Sequence, residues 1–264
     1  MDLGIKGRVA VVSGSTAGIG LAIAATLAGE GAQVVVNGRT EERVERALHT
    51  IRATHPRALL QGVAADLGTA EGVAGFISQV PSADILVNNL GIFDPRPFAE
   101  IPDAEWLRFY EVNVLSGVRL TRAYLQGMVQ KNWGRVIFIS SESGQQIPGE
   151  MVHYGMTKTA QIALARGIAE TVAGTNVTAN SVLVGPTASE GVGDFVQSMA
   201  NQKGTTKEQI EKEFFEKIRP TSLLKRFQTT EEVAAVVAFV ASNQAISING
   251  SAVRAEGGVI RSIL

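Results

Sequence analysis

Tyr154 and Lys158 stand four residues apart in the segment Tyr154-Gly155-Met156-Thr157-Lys158. On a helix that spacing puts a phenol and an ammonium on one face, one turn apart. A free tyrosine titrates near ~10, too high for a good base at neutral pH, and a neighbouring ammonium favours the phenolate. Ser141 lies thirteen residues upstream of the tyrosine. A hydroxyl and a phenol held together can stabilise negative charge growing on an oxygen, as when hydride adds to a carbonyl. The plain alternative stands beside this one: Tyr-xxx-Lys is common on helices, and serines are everywhere. His153, next to the tyrosine, raises a Ser–His hydrolase as a rival. Ser141 lacks the GxSxG elbow of such enzymes, and His153 is expected to line a substrate pocket or to face solvent.

A second chemical feature opens the chain. Ser13-Gly14-Ser15-Thr16-Ala17-Gly18-Ile19-Gly20 falls between an apolar strand and an alanine-rich helix. Glycines there permit a sharp turn, a close backbone approach to a pyrophosphate, and tight helix–strand packing. The helix N-terminus adds free N–H groups and partial positive charge. The spacing is GxxxGxG rather than GxGxxG, and no Lys-Ser/Thr pair follows to make a Walker loop. A bare strand-to-helix turn is the alternative.

The elements that must position these groups alternate. Strands are expected at Arg8–Ser13, Gln33–Asn37, Leu59–Ala65, Asp84–Asn88, Arg135–Ser140, Asn176–Val182 and Ala252–Ala255. Helical patterns fall at about 18–29, 40–54, 69–80, 103–112, 113–131 and 154–173. Short β-branched runs between longer helices signify βαβ units. The fold class is therefore α/β, a doubly wound parallel seven-stranded sheet of Rossmann type with helices on both faces. Residues 187–227 break the rhythm with Gly, Lys and Glu and read as a helical excursion that would close as a substrate lid. Its residues, with Gln145, Gln146, Met151 and His153, would shape the pocket; Phe195, Met199, Phe214 and Phe215 favour a hydrophobic substrate, or else form a helix's own buried stripe. No linker or composition shift divides the chain, so residues 1–264 are expected to form one domain.

Taken together, the glycine turn, Ser141 and the Tyr154/Lys158 pair resemble the short-chain dehydrogenase/reductase family, single-domain and 3-oxoacyl reductase-like, along nearly the whole chain. The resemblance implies an NAD(P)H-dependent oxidoreductase that interconverts a ketone and a secondary alcohol by hydride transfer. It implies a tetrad: Tyr154 as general acid/base, Ser141 as donor to the carbonyl oxygen, Lys158 as ribose anchor and electrostatic partner, and Asn113 holding a water in a proton relay. It implies cofactor contacts from Gly14, Ser15, Thr16, Gly18, Ile19 and Gly20, and from Asp66 and Leu67 after the third strand. Asn89 and Gly91 of Asn88-Asn89-Leu90-Gly91 would line the adenosine side, and Gly185, Thr187 and Ser189 the nicotinamide. Leu90 replaces the family's alanine and Val184 its proline, while Glu256-Gly257-Gly258 stands for Asp-Gly-Gly. Asp66 has a second reading as a helix cap.

The end of the second strand reads Asn37-Gly38-Arg39-Thr40. NAD enzymes place a carboxylate where Gly38 stands, and a 2′-phosphate calls for an arginine such as Arg39. NADP is therefore expected ahead of NAD, and with it a carbonyl reductase. Arg39 as a solvated start to its helix is the other reading, and no basic residue precedes Gly18. A binding protein that senses cofactor ratio without turnover is a rival class; loss of a tetrad residue would mark it, and none is lost.

Composition narrows the partners. The 264 residues are 45 % hydrophobic and 19 % charged, with net charge −1 and no cysteine. No basic surplus favours nucleic acid or an anionic membrane, and thiolate chemistry and disulfides are excluded. No apolar run spans a bilayer, and the start lacks the regions of a secretory signal, so a cytoplasmic location is expected. The three histidines are too scattered for a zinc set. A small-molecule substrate and a homotetramer are expected, the latter through the helices near 113–131 and 154–173, where Ala160, Ala163, Ala165 and Gly167 would permit close packing.

Overall fold

Seven short strands carry the architecture: β1 (Val9–Val12), β2 (Gln33–Gly38), β3 (Leu59–Ala64), β4 (Ile85–Asn88), β5 (Gly134–Ser141), β6 (Val177–Val184) and β7 (Ala252–Ala255). In the computed structural model they form one sheet, all parallel, in the order β3-β2-β1-β4-β5-β6-β7. The structure describes residues 1–263; Leu264 and the side chains of Asp194 and Phe195 lie outside the described residues. The chain winds outward from β1 to β3, then returns to place β4 on the other side of β1. That reversal opens a crevice at the C-terminal ends of β1 and β4, where open α/β sheets bind ligands.

The strands are apolar on both faces because helices cover both. Ala10, Val12, Val34, Val36, Ile85, Val87, Ile137 and Ile139 face one way, into a core with α1 (Gly18–Gly29) and α2 (Glu41–Thr54). Val11, Val35, Leu86, Val136 and Phe138 face the other, towards α3 (Ala70–Gln79), α5 (Ser116–Gln130) and α6 (Val152–Thr171). This alternation follows from the two-residue period of a strand. Ala165 of α6 packs in the second core rather than on an outward face. No helix among the described residues is long and apolar enough to cross a membrane.

Three departures from the sequence reading matter. α4 (Asp103–Tyr110) does not simply abut α5; a π turn over Glu111–Leu115 joins them, with the Ser116 N–H bonding back to the Glu111 carbonyl. The cap of α3 is Thr69, whose hydroxyl accepts from the Gly72 N–H, and not Asp66. A further helix follows the excursion, and its signal was present in the sequence: Thr229 and Glu232 form a capping box at the head of α9 (Thr230–Val240). α9 packs against α1 and completes the first core with Val233, Ala234, Val237 and Ala238.

The excursion itself is α7 (Glu190–Lys203), α8 (Lys207–Glu213) and a π turn over Phe214–Ile218. It has a small core of its own in Val196, Ala200 and Ile210, beside a cluster of the Phe214, Phe215 and Phe227 rings.

Candidate active site

The glycine turn folds as its residues require. Gly14 and Gly18 both adopt left-handed backbone, with φ of +61° and +54°, a region open to glycine at no steric cost. A Cβ on Gly20 would run into the Gly14 carbonyl and the Asn89 side chain. Asn89 staples β4 to this turn, its amide donating to the carbonyls of Ser13 and Gly14 at 2.9 and 3.0 Å. Asn37, at the end of β2, braces the turn from the other side by accepting from the Gly14 N–H at 3.1 Å. Ser15 is fully buried, its hydroxyl donating to the Val12 carbonyl and accepting from the Asn37 N–H. Gly14, Thr16, Ala17, Gly18 and Ile19 stay partly open on this turn, whereas the expected contacts Ser15 and Gly20 are buried. α1 begins there with no side-chain cap and no acidic residue in its first turn, which leaves its partial positive charge uncompensated. Gly20→Ala is expected to lower stability by roughly 1–3 kcal/mol, the cost of overpacking, measured by denaturant unfolding.

Around this cradle the other expected contacts fall into place unevenly. Gly38 touches Thr16 so closely that a Cβ would collide with the threonine methyl. Arg39, next along, is exposed. Asp66 is exposed after β3, its carboxylate accepting from the Gly68 N–H at 3.0 Å, while the Leu67 side chain is buried in the core. Leu90 packs on that same core. Gly185, at the end of β6, passes against the Glu256 backbone with no room for a Cβ. Glu256 is structural: its carboxylate accepts from Arg254 and from the Val259 and Ile260 N–H groups. The Thr187 hydroxyl donates to the Gly185 carbonyl at 2.9 Å. Ser189 stands at the head of α7 without a side-chain cap bond, and a Cβ on Gly18 would lie 3.2 Å from the Ser189 Cβ, so the excursion starts against the glycine turn.

At the C-terminal ends of β4 and β5, the structure brings Asn113, Ser141, Tyr154 and Lys158 together. The Ser141 hydroxyl lies close enough to the Tyr154 phenol to act on its acidity, and the Lys158 ammonium lies 5.5 Å from the Tyr154 ring centroid. Lys158 is buried; its Nζ donates to the Ile139 carbonyl at 2.9 Å, and burial pulls its pKa down to about 8. Gly91 lies against it, where a Cβ would come within 3.4 Å of Nζ. Asn113, in the π turn, accepts from the Ile92 N–H and donates to the Ile92 carbonyl and the Thr157 hydroxyl.

The Tyr154 phenol is pushed up from its ordinary value, mainly by burial, which outweighs the lowering effects of Ser141 and Arg219. Lys158 is not among the groups that move the phenol, and its ammonium donates to the Ile139 carbonyl on β5. The phenol thus stays protonated at neutral pH, the form needed to donate a proton.

Two residues escaped the sequence reading. Glu142, 4 % exposed, follows Ser141 directly and accepts from the hydroxyls of Ser141, at 2.8 Å, and Ser143. Arg219, 9 % exposed, reaches back 77 residues to bond Glu142 Oε1 through Nε at 2.7 Å. A carboxylate closely following the apolar run 136–139 was the one local sign. His153 neither lines a pocket nor meets solvent. It is wholly buried, packed on Phe109 with centroids 4.1 Å apart and edge-on to Trp106, and burial lowers its pKa.

Comparison with known proteins places this geometry. A family model described as short chain dehydrogenase matches residues 8–200. The chain is 48 % identical over 263 residues to YvaG, an uncharacterized oxidoreductase of Bacillus subtilis (strain 168), with 100 % of each chain covered. It is 32 % identical to D-beta-hydroxybutyrate dehydrogenase of Rhizobium meliloti (strain 1021), covering 95 % of this chain and 98 % of that one. Among solved structures, L-sorbose reductase from Gluconobacter frateurii, complexed with NADPH and L-sorbose, matches with a TM-score of 0.94 at 30 % identity, covering 100 % of both chains.

Proposed function

The chain belongs to the short-chain dehydrogenase family of oxidoreductases, and on that premise we propose that it reduces a ketone to a secondary alcohol with NADPH. The observation that carries this reading is the convergence of Tyr154, its phenol protonated, with Ser141 and the buried Lys158 ammonium at the strand ends. The pyrophosphate would lie on Gly14, Thr16, Gly18 and Ile19 at the head of α1. Asp66, Asn89 and Gly91 would flank the adenosine, and Gly185, Thr187 and Ser189 the nicotinamide. When bound, the nicotinamide supplies the hydride. Tyr154 gives its proton to the substrate oxygen as charge develops there. Ser141 turns its hydroxyl from Glu142 to the same oxygen, and Lys158 holds the ribose and keeps positive charge near the phenol. Residues 187–227 close over the substrate, and the subunits assemble as a homotetramer through α5 and α6.

NADP preference rests on the end of β2. Gly38 leaves no carboxylate to repel a 2′-phosphate, the Thr16 contact disfavours any side chain there, and Arg39 stands exposed beside it. Arg39→Ala is expected to weaken NADPH binding roughly 10- to 100-fold, the worth of one charge-assisted hydrogen bond, and to leave NADH binding unchanged. Fluorescence titration of both cofactors reads this directly. Equal effects on the two would remove Arg39 from the phosphate site.

The experiment for the function itself is NADPH oxidation, followed by absorbance, across 3-oxoacyl thioesters, ketones, aldehydes, quinones and sugars, with NADH in parallel. Turnover with NADPH is expected. Turnover with NADH alone would overturn the cofactor preference and leave the reductase reading in place. Cofactor binding with no turnover across the panel would favour a sensor.

A further inference from the structure

The buried Lys158 ammonium has a second protein partner. Gln161, one helical turn along α6, accepts from Lys158 Nζ through Oε1 at 3.3 Å. The same side chain donates through Nε2 to the backbone carbonyl of Asn113 at 2.7 Å. Gln161 is 1 % exposed, and its amide therefore bridges the two groups wholly inside the protein. The bridge depends on the π turn, a wider backbone register that is frequent at functional sites, because Asn113 sits within it.

We propose that Gln161 is a positioning residue that holds the Lys158 ammonium in place and carries the link between Lys158 and the Asn113 carbonyl through the chain itself. This rests on the reading of Lys158 as the cofactor-side cation of a reductase. An ammonium has three N–H donors; two go to Ile139 and Gln161, and the third is available on the side that Gly91 keeps clear. With Gln161 as amide donor and acceptor, the Asn113 carbonyl and the ammonium are held in one fixed line. The groups packed around Nζ are the Ile139 carbonyl of β5, Asn113 of the π turn, Gly91 after β4 and the Tyr154 phenol of α6. Of these only the phenol titrates. Glu142 and Arg219 act on the phenol, whereas no charged neighbour shifts Lys158, which burial lowers.

An amide oxygen pointed at an ammonium stabilises its charged form. The test uses the cofactor-free protein and follows the 13Cε resonance of Lys158 from pH 6 to 11 in protein labelled with 13C-lysine, assigned by its loss in Lys158→Arg. Two variants of nearly unchanged shape are compared. Gln161→Met removes the acceptor and is expected to lower the Lys158 titration by about one pH unit, as loss of a hydrogen bond to a charge implies. Gln161→Glu substitutes a carboxylate and is expected to raise it. Opposite shifts in two folded variants are the signature of a polar contact. Shifts in the same direction, or none beyond about 0.3 units in either folded variant, would overturn the proposal. Because no turnover is measured, this outcome is separate from that of the substrate panel.

Discussion

Tyr154→Phe is expected to lower kcat for carbonyl reduction by about 10²- to 10⁴-fold, the range a positioned general acid contributes, and to leave NADPH affinity within a few-fold. The substitution removes one oxygen. The ring keeps its place against Phe93, 6.4 Å away centroid to centroid, so the loss reports proton transfer and not packing. The direction of the phenol's shift strengthens the expectation. Burial holds Tyr154 above its ordinary value, so the proton to be given is present across the neutral range. The limb that cuts activity at alkaline pH then belongs to Lys158, lowered by burial to about 8. Below that value the ammonium is present and supports the developing oxyanion; above it the charge is lost and the rate falls. Rates from pH 6 to 10 on whichever panel substrate turns over would check this. A residual rate within tenfold of the parent in Tyr154→Phe would remove the phenol from the proton-transfer step.

The sheet was legible in the sequence because parallel strands covered on both faces are near-continuous apolar runs, and QVVVN or RVIFIS fits little else. The glycine turn was equally plain, since the left-handed backbone at Gly14 and Gly18 leaves few residue types that suit it. What was not legible depends on tertiary partners. A π turn differs from a helix by one residue of hydrogen-bond register, and no side-chain pattern in Glu111–Leu115 announces it. Gln161 looks like an ordinary helix residue until α6 is laid against a carbonyl 48 positions earlier. His153 was misread because an imidazole is usually exposed or bonded, whereas here Phe109 and Trp106 enclose it. α9 is a different case: its capping box, Thr229 with Glu232, is local and lies in the sequence itself. The polar contacts around Ser141 and Lys158 are thus the least readable part of the molecule, although Ser141, Tyr154 and Lys158 themselves stand out through the family resemblance that the glycine turn completes.

Arg219→Ala is expected to destabilise the protein by about 3–5 kcal/mol, the cost of leaving a buried carboxylate without its partner. Glu142 accepts from two serine hydroxyls and one guanidinium N–H, and none of these but Arg219 brings a positive charge. Arg219 also lies 3.6 Å from Glu150, whose side chain is half exposed. The pair is therefore asymmetric. Glu142→Gln leaves the arginine with Glu150 and keeps hydrogen-bonding atoms near both serines, so a smaller loss is expected than for Arg219→Ala. Replacing both residues, Glu142→Gln with Arg219→Met, removes the stranded charge and is expected to be more stable than Arg219→Ala alone. For a chain of this size the single arginine variant should melt roughly 10 °C lower, and calorimetry of the three variants gives the comparison. The chemical consequence follows the same charges. Arg219 lowers the Tyr154 phenol and Glu142 raises it, so Arg219→Ala leaves a weaker acid beside a free carboxylate that opposes charge on the substrate oxygen. A melting point within 2 °C of the parent would mean that water already screens Glu142, and Arg219 would lose its role as the partner of the buried carboxylate.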